Sequence, residues 1–156
     1  MATNFTQAKA FLEQLIGRQM ASDNLVREAL DANVNVRLAL YGDKILDAAL
    51  FDDWYSSGAT KGKLLPRWLS GMSLTFLVHA GIADNMRQSR HNNPYLANLA
   101  IASGLDVHVT RKVSQRNQPA SAGTLATTVE AIVGAIYLDS GKDLEAVKRA
   151  IVAMGL

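Results

Sequence analysis

Residues 125–141 read LATTVEAIVGAIYLDSG, an apolar helical pattern with a single acid, Glu130, in its interior. Gly134 follows that acid after about one helical turn. A carboxylate in an apolar helix is costly to bury unless another group pairs with it or binds to it. The segment therefore predicts a buried helix that carries a charged site.

A second segment of related character lies upstream, where residues 36–46 read VRLALYGDKIL. We predict that it belongs to a helix from about residue 35 to residue 55, which ends at a Ser-Ser-Gly loop signal. On an ideal helix, one face of this segment carries Val36, Ala39, Asp43 and Asp47. On the downstream helix, Thr127 and Glu130 share a face.

The two segments resemble, in the correct order, the two signature motifs of the ribonuclease III nuclease domain. The positions of the first motif that match are Arg37, Leu38, Gly42, Asp43 and Leu46. In the second motif Glu130 is kept, and residues 93–97 (NPYLA) resemble a helix start that the family has between the motifs. Three family acids are absent, and their positions are occupied by Val36, Ala39 and Thr127.

The resemblance implies metal-assisted hydrolysis of RNA, in which Mg²⁺ stabilises charge and activates water. The family surrounds its metal with four carboxylates, two from each signature helix. Here Asp43 and Glu130 are the expected catalytic and metal-binding residues, with Asp47 as a third candidate ligand. Because Ala39 and Thr127 supply no charge, the resemblance implies weak Mg²⁺ binding, which Ala39→Glu and Thr127→Asp are expected to strengthen.

Alternative roles exist for the same residues. Glu130 could pair with Arg37, and Asp43 could be an ordinary polar residue on a packing face. Gly42 and Gly134 are most simply explained as positions where two helices approach closely. The three histidines are scattered, and no pair of them has the spacing of metal ligands.

The rest of the chain is also helical in pattern. Apolar periodicity predicts helices through residues 5–16, 25–30, 66–77, 94–103 and 144–154. The expected N-caps are Thr3 or Thr6, Ser22 and Asp143, and residues 84–93 and 114–123 are expected to be polar connections. No segment has the alternation of a strand, so we predict an all-α fold of the ribonuclease III endonuclease type, with residues 1–156 as a single domain.

Composition excludes several classes of function. The 156 residues include no cysteine, which rules out disulfides, thiolate zinc sites and cysteine nucleophiles and fits an intracellular compartment. We expect no secretory signal, and no apolar run approaches the ~20 residues that span a bilayer, so no membrane partner is expected. A net charge of +2 permits a polyanionic partner without requiring one.

Basic residues fall in three clusters that correspond to RNA-lining regions of the family. The candidate RNA-binding residues are Lys61, Lys63, Arg67, Arg87, Arg90, Arg111, Lys112 and Arg116. Each cluster could equally be a solvated surface, and no segment resembles an appended double-stranded-RNA-binding domain.

Three functions follow from this reading. The first is an RNA-binding homodimer with weak or atypical metal-dependent endoribonuclease activity, in which Leu40 and Tyr41 contribute to the subunit interface. The second is a catalytically inactive protein of the same fold that acts in RNA binding or ribosome assembly. The third is a helical protein-interaction module without an RNA role.

Overall fold

The computed structural model describes residues 4–56, 93–115 and 117–156. These residues form six α-helices: α1 (Phe5–Ile16), α2 (Asp23–Leu30), α3 (Val36–Ser56), α4 (Asn93–Ser103), α5 (Ala122–Asp139) and α6 (Leu144–Met154). Two short 3₁₀ turns, Leu105–His108 and Val113–Gln115, lie between α4 and α5. The described residues contain no strand, apart from an isolated bridge between Asp31 and Thr110, so the all-α prediction is confirmed. The helix predicted at residues 66–77 and the connection at 84–93 lie almost wholly outside them.

Capping residues set the helix ends. Ser22 and Asp143 accept hydrogen bonds from backbone N–H groups at the starts of α2 and α6, as predicted. The predicted cap of α1 is wrong: Asn4 caps it by accepting from the Thr6 N–H, and asparagine is the stronger capping residue. Ser121 caps α5, so α5 begins three residues earlier than predicted.

Helix α5 lies at the centre of the fold. It packs against α2, α3, α4 and α6, and α1 in turn packs on α6. Its largest fully buried side chains are Leu125, Val129, Ile132, Val133 and Ile136. A helix that is apolar on all sides is stable only when neighbouring helices surround it, which this arrangement provides.

Helices α3 and α5 cross in close contact, at a point where each helix has a glycine. A Cβ atom on Gly42 would lie 1.8 Å from the Glu130 carbonyl oxygen, and one on Gly134 would lie 2.6 Å from the Leu38 carbonyl oxygen. The two backbones therefore touch at a point where neither helix can carry a side chain. The interpretation of both glycines as close-packing positions is confirmed.

Asp139 closes the end of α5 and also fixes the connection between α1 and α2. Its carboxylate is 2% exposed and accepts hydrogen bonds from Arg18 Nη2 at 3.2 Å, the Ala21 N–H at 3.2 Å and the Ser22 N–H at 2.8 Å. The predicted helix end is confirmed, because Ser140 follows as the cap and Gly141 has a positive φ of 74°. The long-range role of the carboxylate was not predicted.

None of the described helices has the length and the apolar character needed to cross a membrane.

Candidate metal centre

The α3–α5 crossing brings the two motif acids to the same place. Asp43 directly follows Gly42, and the Gly42 backbone lies against the carbonyl group of Glu130. The two carboxyl groups consequently interact electrostatically. Their mutual approach is a result of the glycine contact, since any side chain at residue 42 would push the helices apart.

Of the acids at this crossing, Glu130 has the most strongly shifted pKa. Burial raises the pKa of its carboxyl group to about 7, and the negative charges of Asp43 and Asp47 act in the same direction. The Lys44 ammonium group acts in the opposite direction. Among the described residues no cation forms an ion pair with Glu130, and the alternative pairing with Arg37 is not observed there.

Lys44 is the cation of this site. Its Nζ lies 2.8 Å from Asp43 Oδ2 and 3.6 Å from Asp47 Oδ2. The hydrogen bond to Asp43 raises the pKa of Lys44, while burial, followed by the charge of Asp43, raises the pKa of Asp47. We call Asp43, Lys44, Asp47 and Glu130 the acidic centre.

The family positions that lack acids differ in their surroundings. Ala39 is buried as part of the apolar core, whereas Val36 is half exposed, so the two do not share one environment beside Asp43. Thr127 is only partly buried. A glutamate at residue 39 would therefore bring a carboxyl group into packed apolar surroundings, which the sequence pattern alone did not indicate.

This donor set is a poor fit for a bound Mg²⁺ ion. Magnesium prefers oxygen ligands in a near-octahedral arrangement, usually including one or two free carboxylates. The Asp43 and Asp47 carboxylates are already in ion pairs with Lys44. Within residues 4–56, 93–115 and 117–156, no group of three or more acidic or histidine side chains is placed to hold a metal ion.

Two of the predicted RNA-binding residues are described, and both are exposed: Arg111 and Lys112. Their segment is attached to the connection before α3, because Asn33 Nδ2 donates to the Arg111 carbonyl at 3.2 Å and the Val113 N–H donates to Asn33 Oδ1 at 3.2 Å. The remaining candidates lie outside the described residues: Lys61, Lys63, Arg67, Arg87, Arg90 and Arg116.

Lys44 was not recognised as a site residue from the sequence. The signal was present, because a lysine follows Asp43 directly and lies three residues before Asp47. Lysine and aspartate at that spacing lie on neighbouring positions of a helix surface and attract each other.

Comparison with known proteins agrees with this architecture. A family model described as Ribonuclease III domain matches residues 36–141, which include both motifs and the α3–α5 crossing. No curated protein and no solved structure matches the chain. The family match supports an RNA-related, nuclease-like function, and domains of this family generally use a divalent metal such as Mg²⁺. Because the matched residues make up more than half of the chain, the protein belongs to the ribonuclease III domain family.

Proposed function

We propose that this protein binds RNA as a homodimer, and that its acidic centre cleaves RNA weakly or not at all. The observation that carries the proposal is the pairing of Lys44 with Asp43 and Asp47 at the α3–α5 crossing, beside positions 39 and 127 that have no acids. The family framework is present, while the charges that would hold Mg²⁺ are partly missing and partly neutralised.

RNA binding is supported by exposed cations at one end of the molecule. Arg111 and Lys112 lie on a segment held beside the start of α3, and Arg37 is exposed in the first turn of that helix. Cations of this kind contact backbone phosphates and give sequence-independent affinity that falls with added salt. Duplex RNA in particular is recognised mostly through its shape, phosphates and 2′-hydroxyl groups.

A homodimer is supported by apolar side chains on the outer side of α3. Leu40 is 67% exposed and Tyr55 is 81% exposed, and helical spacing places Leu40 between Tyr55 and the half-exposed Val36 around the helix, about 60° from one and about 40° from the other. Tyr41 lies at the edge of this surface, with its ring centroid 6.0 Å from that of Tyr137. Burying such a surface between two copies removes apolar area from water, and the total interface should exceed roughly 1,000 Å².

Leu40→Glu is expected to convert the dimer into a monomer, because a charged side chain would be placed in the apolar interface. Static light scattering at micromolar concentrations measures the mass directly. The matched control is Ile101→Glu, which makes the same change at an exposed residue of α4 and should leave a dimer. A wild-type protein of monomer mass throughout this range would contradict the proposed assembly.

Within this proposal, any weak metal-dependent endonuclease activity would depend on the two family acids that remain. It is favoured by the retention of Asp43 and Glu130 on two helices whose backbones are in contact. Proteins commonly hold Mg²⁺ with one or two carboxylates together with water and phosphate.

One experiment measures RNA binding and RNA cleavage separately. Fluorescence anisotropy with labelled duplex and single-stranded RNA should show binding that weakens strongly between about 50 mM and 200 mM salt. Incubation of the same RNA with increasing Mg²⁺ should give slow cleavage or none. Asp43→Ala and Glu130→Ala should leave RNA binding unchanged, while Thr127→Asp adds a fourth carboxylate at a partly exposed position and should raise any cleavage.

The outcomes are distinct. Rapid wild-type cleavage at low-millimolar Mg²⁺ that is lost in Asp43→Ala would show a competent nuclease and overturn the proposed weak centre. Absence of RNA binding at low salt would overturn the RNA function and favour a protein-interaction role.

A further inference from the structure

We propose that the Lys44 ammonium group holds the place of a divalent cation in the acidic centre, so that the centre is a metal-free cluster of ion pairs. The inference rests on the same centre as the proposed function and deepens it. Its supporting contacts are the 2.8 Å and 3.6 Å distances from Lys44 Nζ to Asp43 Oδ2 and Asp47 Oδ2. The same ammonium group also interacts electrostatically with Glu130, so it acts on all three acids of the centre.

The backbone brings the acids together, and a nearby cation offsets the repulsion between those that are ionised. Gly42 and Gly134 bring α3 and α5 into direct contact, which places Asp43 and Glu130 close to one another. The side chains of Asp43 and Asp47 are 19% and 31% exposed, so water screens their repulsion only in part. A positive charge beside them offsets this repulsion, and Lys44, whose side chain is 69% exposed, supplies one from the same helix as two of the acids.

The ammonium group and a divalent ion cannot share this position. A magnesium ion bound to Asp43 would lie about 2.0–2.1 Å from a carboxylate oxygen. The Lys44 ammonium lies 2.8 Å from an oxygen of the same carboxylate, so the two cations would be only a few ångströms apart. A metal would have to displace Lys44. It would then have two carboxylate ligands fewer than the family provides, since residues 39 and 127 supply none.

The test measures Mn²⁺ binding to the full chain in the absence of RNA, by the loss of the free-ion signal in electron paramagnetic resonance. Wild-type protein should bind Mn²⁺ weakly. Lys44→Ala and Lys44→Gln should bind it at least about tenfold more tightly, because a unit positive charge a few ångströms from the metal is removed. Lys44→Arg keeps the charge and should behave like the wild type.

Lys9→Ala is the matched control. Lys9 also sits between two acids, with Nζ 2.6 Å from Asp23 Oδ1 and 3.8 Å from Glu13 Oε1, and its removal changes the net charge equally. This variant should show no gain in Mn²⁺ affinity. Asp43→Asn combined with Lys44→Ala should remove the gain, which locates the bound ion in the acidic centre.

Three results would overturn the inference. One is tight Mn²⁺ binding by the wild type that Asp43→Asn abolishes. Another is the absence of any gain in both Lys44→Ala and Lys44→Gln when circular dichroism shows them folded. The third is an equal gain in Lys9→Ala. Because no RNA is present, failure of the protein to bind RNA would leave this result unaffected.

Discussion

Gly42→Ala is expected to destabilise the protein by about 3 kcal/mol or more, at the upper end of the effects of overpacking. The added Cβ would lie 1.8 Å from the Glu130 carbonyl oxygen and 2.7 Å from the Gly134 backbone nitrogen. Both obstacles are backbone atoms of a central helix, so neither can rotate away as a side chain would. Urea unfolding followed by far-ultraviolet circular dichroism measures the loss as a lower transition midpoint.

Gly123→Ala is the control for this prediction. Gly123 lies in the first turn of α5, and a Cβ there meets nothing within 4 Å. Alanine should stabilise the protein by about 0.4–1 kcal/mol, because it restricts the unfolded chain without strain in the helix. Equal transition midpoints for the two variants would mean that the α3–α5 contact is looser than described.

Asp139→Ala is expected to destabilise the protein by about 2–4 kcal/mol, because it leaves the Arg18 guanidinium and two backbone N–H groups without their acceptor. Urea unfolding, as for Gly42→Ala, measures this loss of stability. Asp143→Ala removes an exposed capping carboxylate from the neighbouring helix and should cost only about 1 kcal/mol. If Asp139→Ala cost no more than Asp143→Ala, the contact between Asp139 and the α1–α2 connection would contribute nothing to stability.

Much of the fold could be predicted from local chemistry. The caps Ser22 and Asp143 and the apolar period of α5 are properties of neighbouring residues, so the sequence displays them directly. Asn4 could have been chosen over Thr3 and Thr6 from the same capping preferences. The hydrogen bonds of Asp139 to residues 18–22 join parts of the chain that are far apart in sequence, and no local pattern encodes such a contact.

Part of the candidate site could also be predicted from the sequence, and part could not. The cost of burying Glu130 in an apolar helix drew attention to it, and the two glycines indicated where its partner helix approaches. The burial of Ala39 beside the half-exposed Val36 could not be read from an ideal helical face, because burial depends on which neighbours cover each residue. Likewise, the attachment of the Arg111 segment to Asn33 depends on tertiary contacts.

The place of α5 in the chain also affects how the protein can fold during synthesis. Helices α2, α3 and α4 pack on α5, yet all three precede it. At about 5–20 residues per second, roughly 4–17 s separate the completion of Ser56 from that of Asp139. During that interval, apolar side chains that are buried in the finished fold, such as Val26, Leu30 and Leu38, have no α5 to pack against. The native core around α5 therefore cannot close until the chain has been synthesised as far as Asp139.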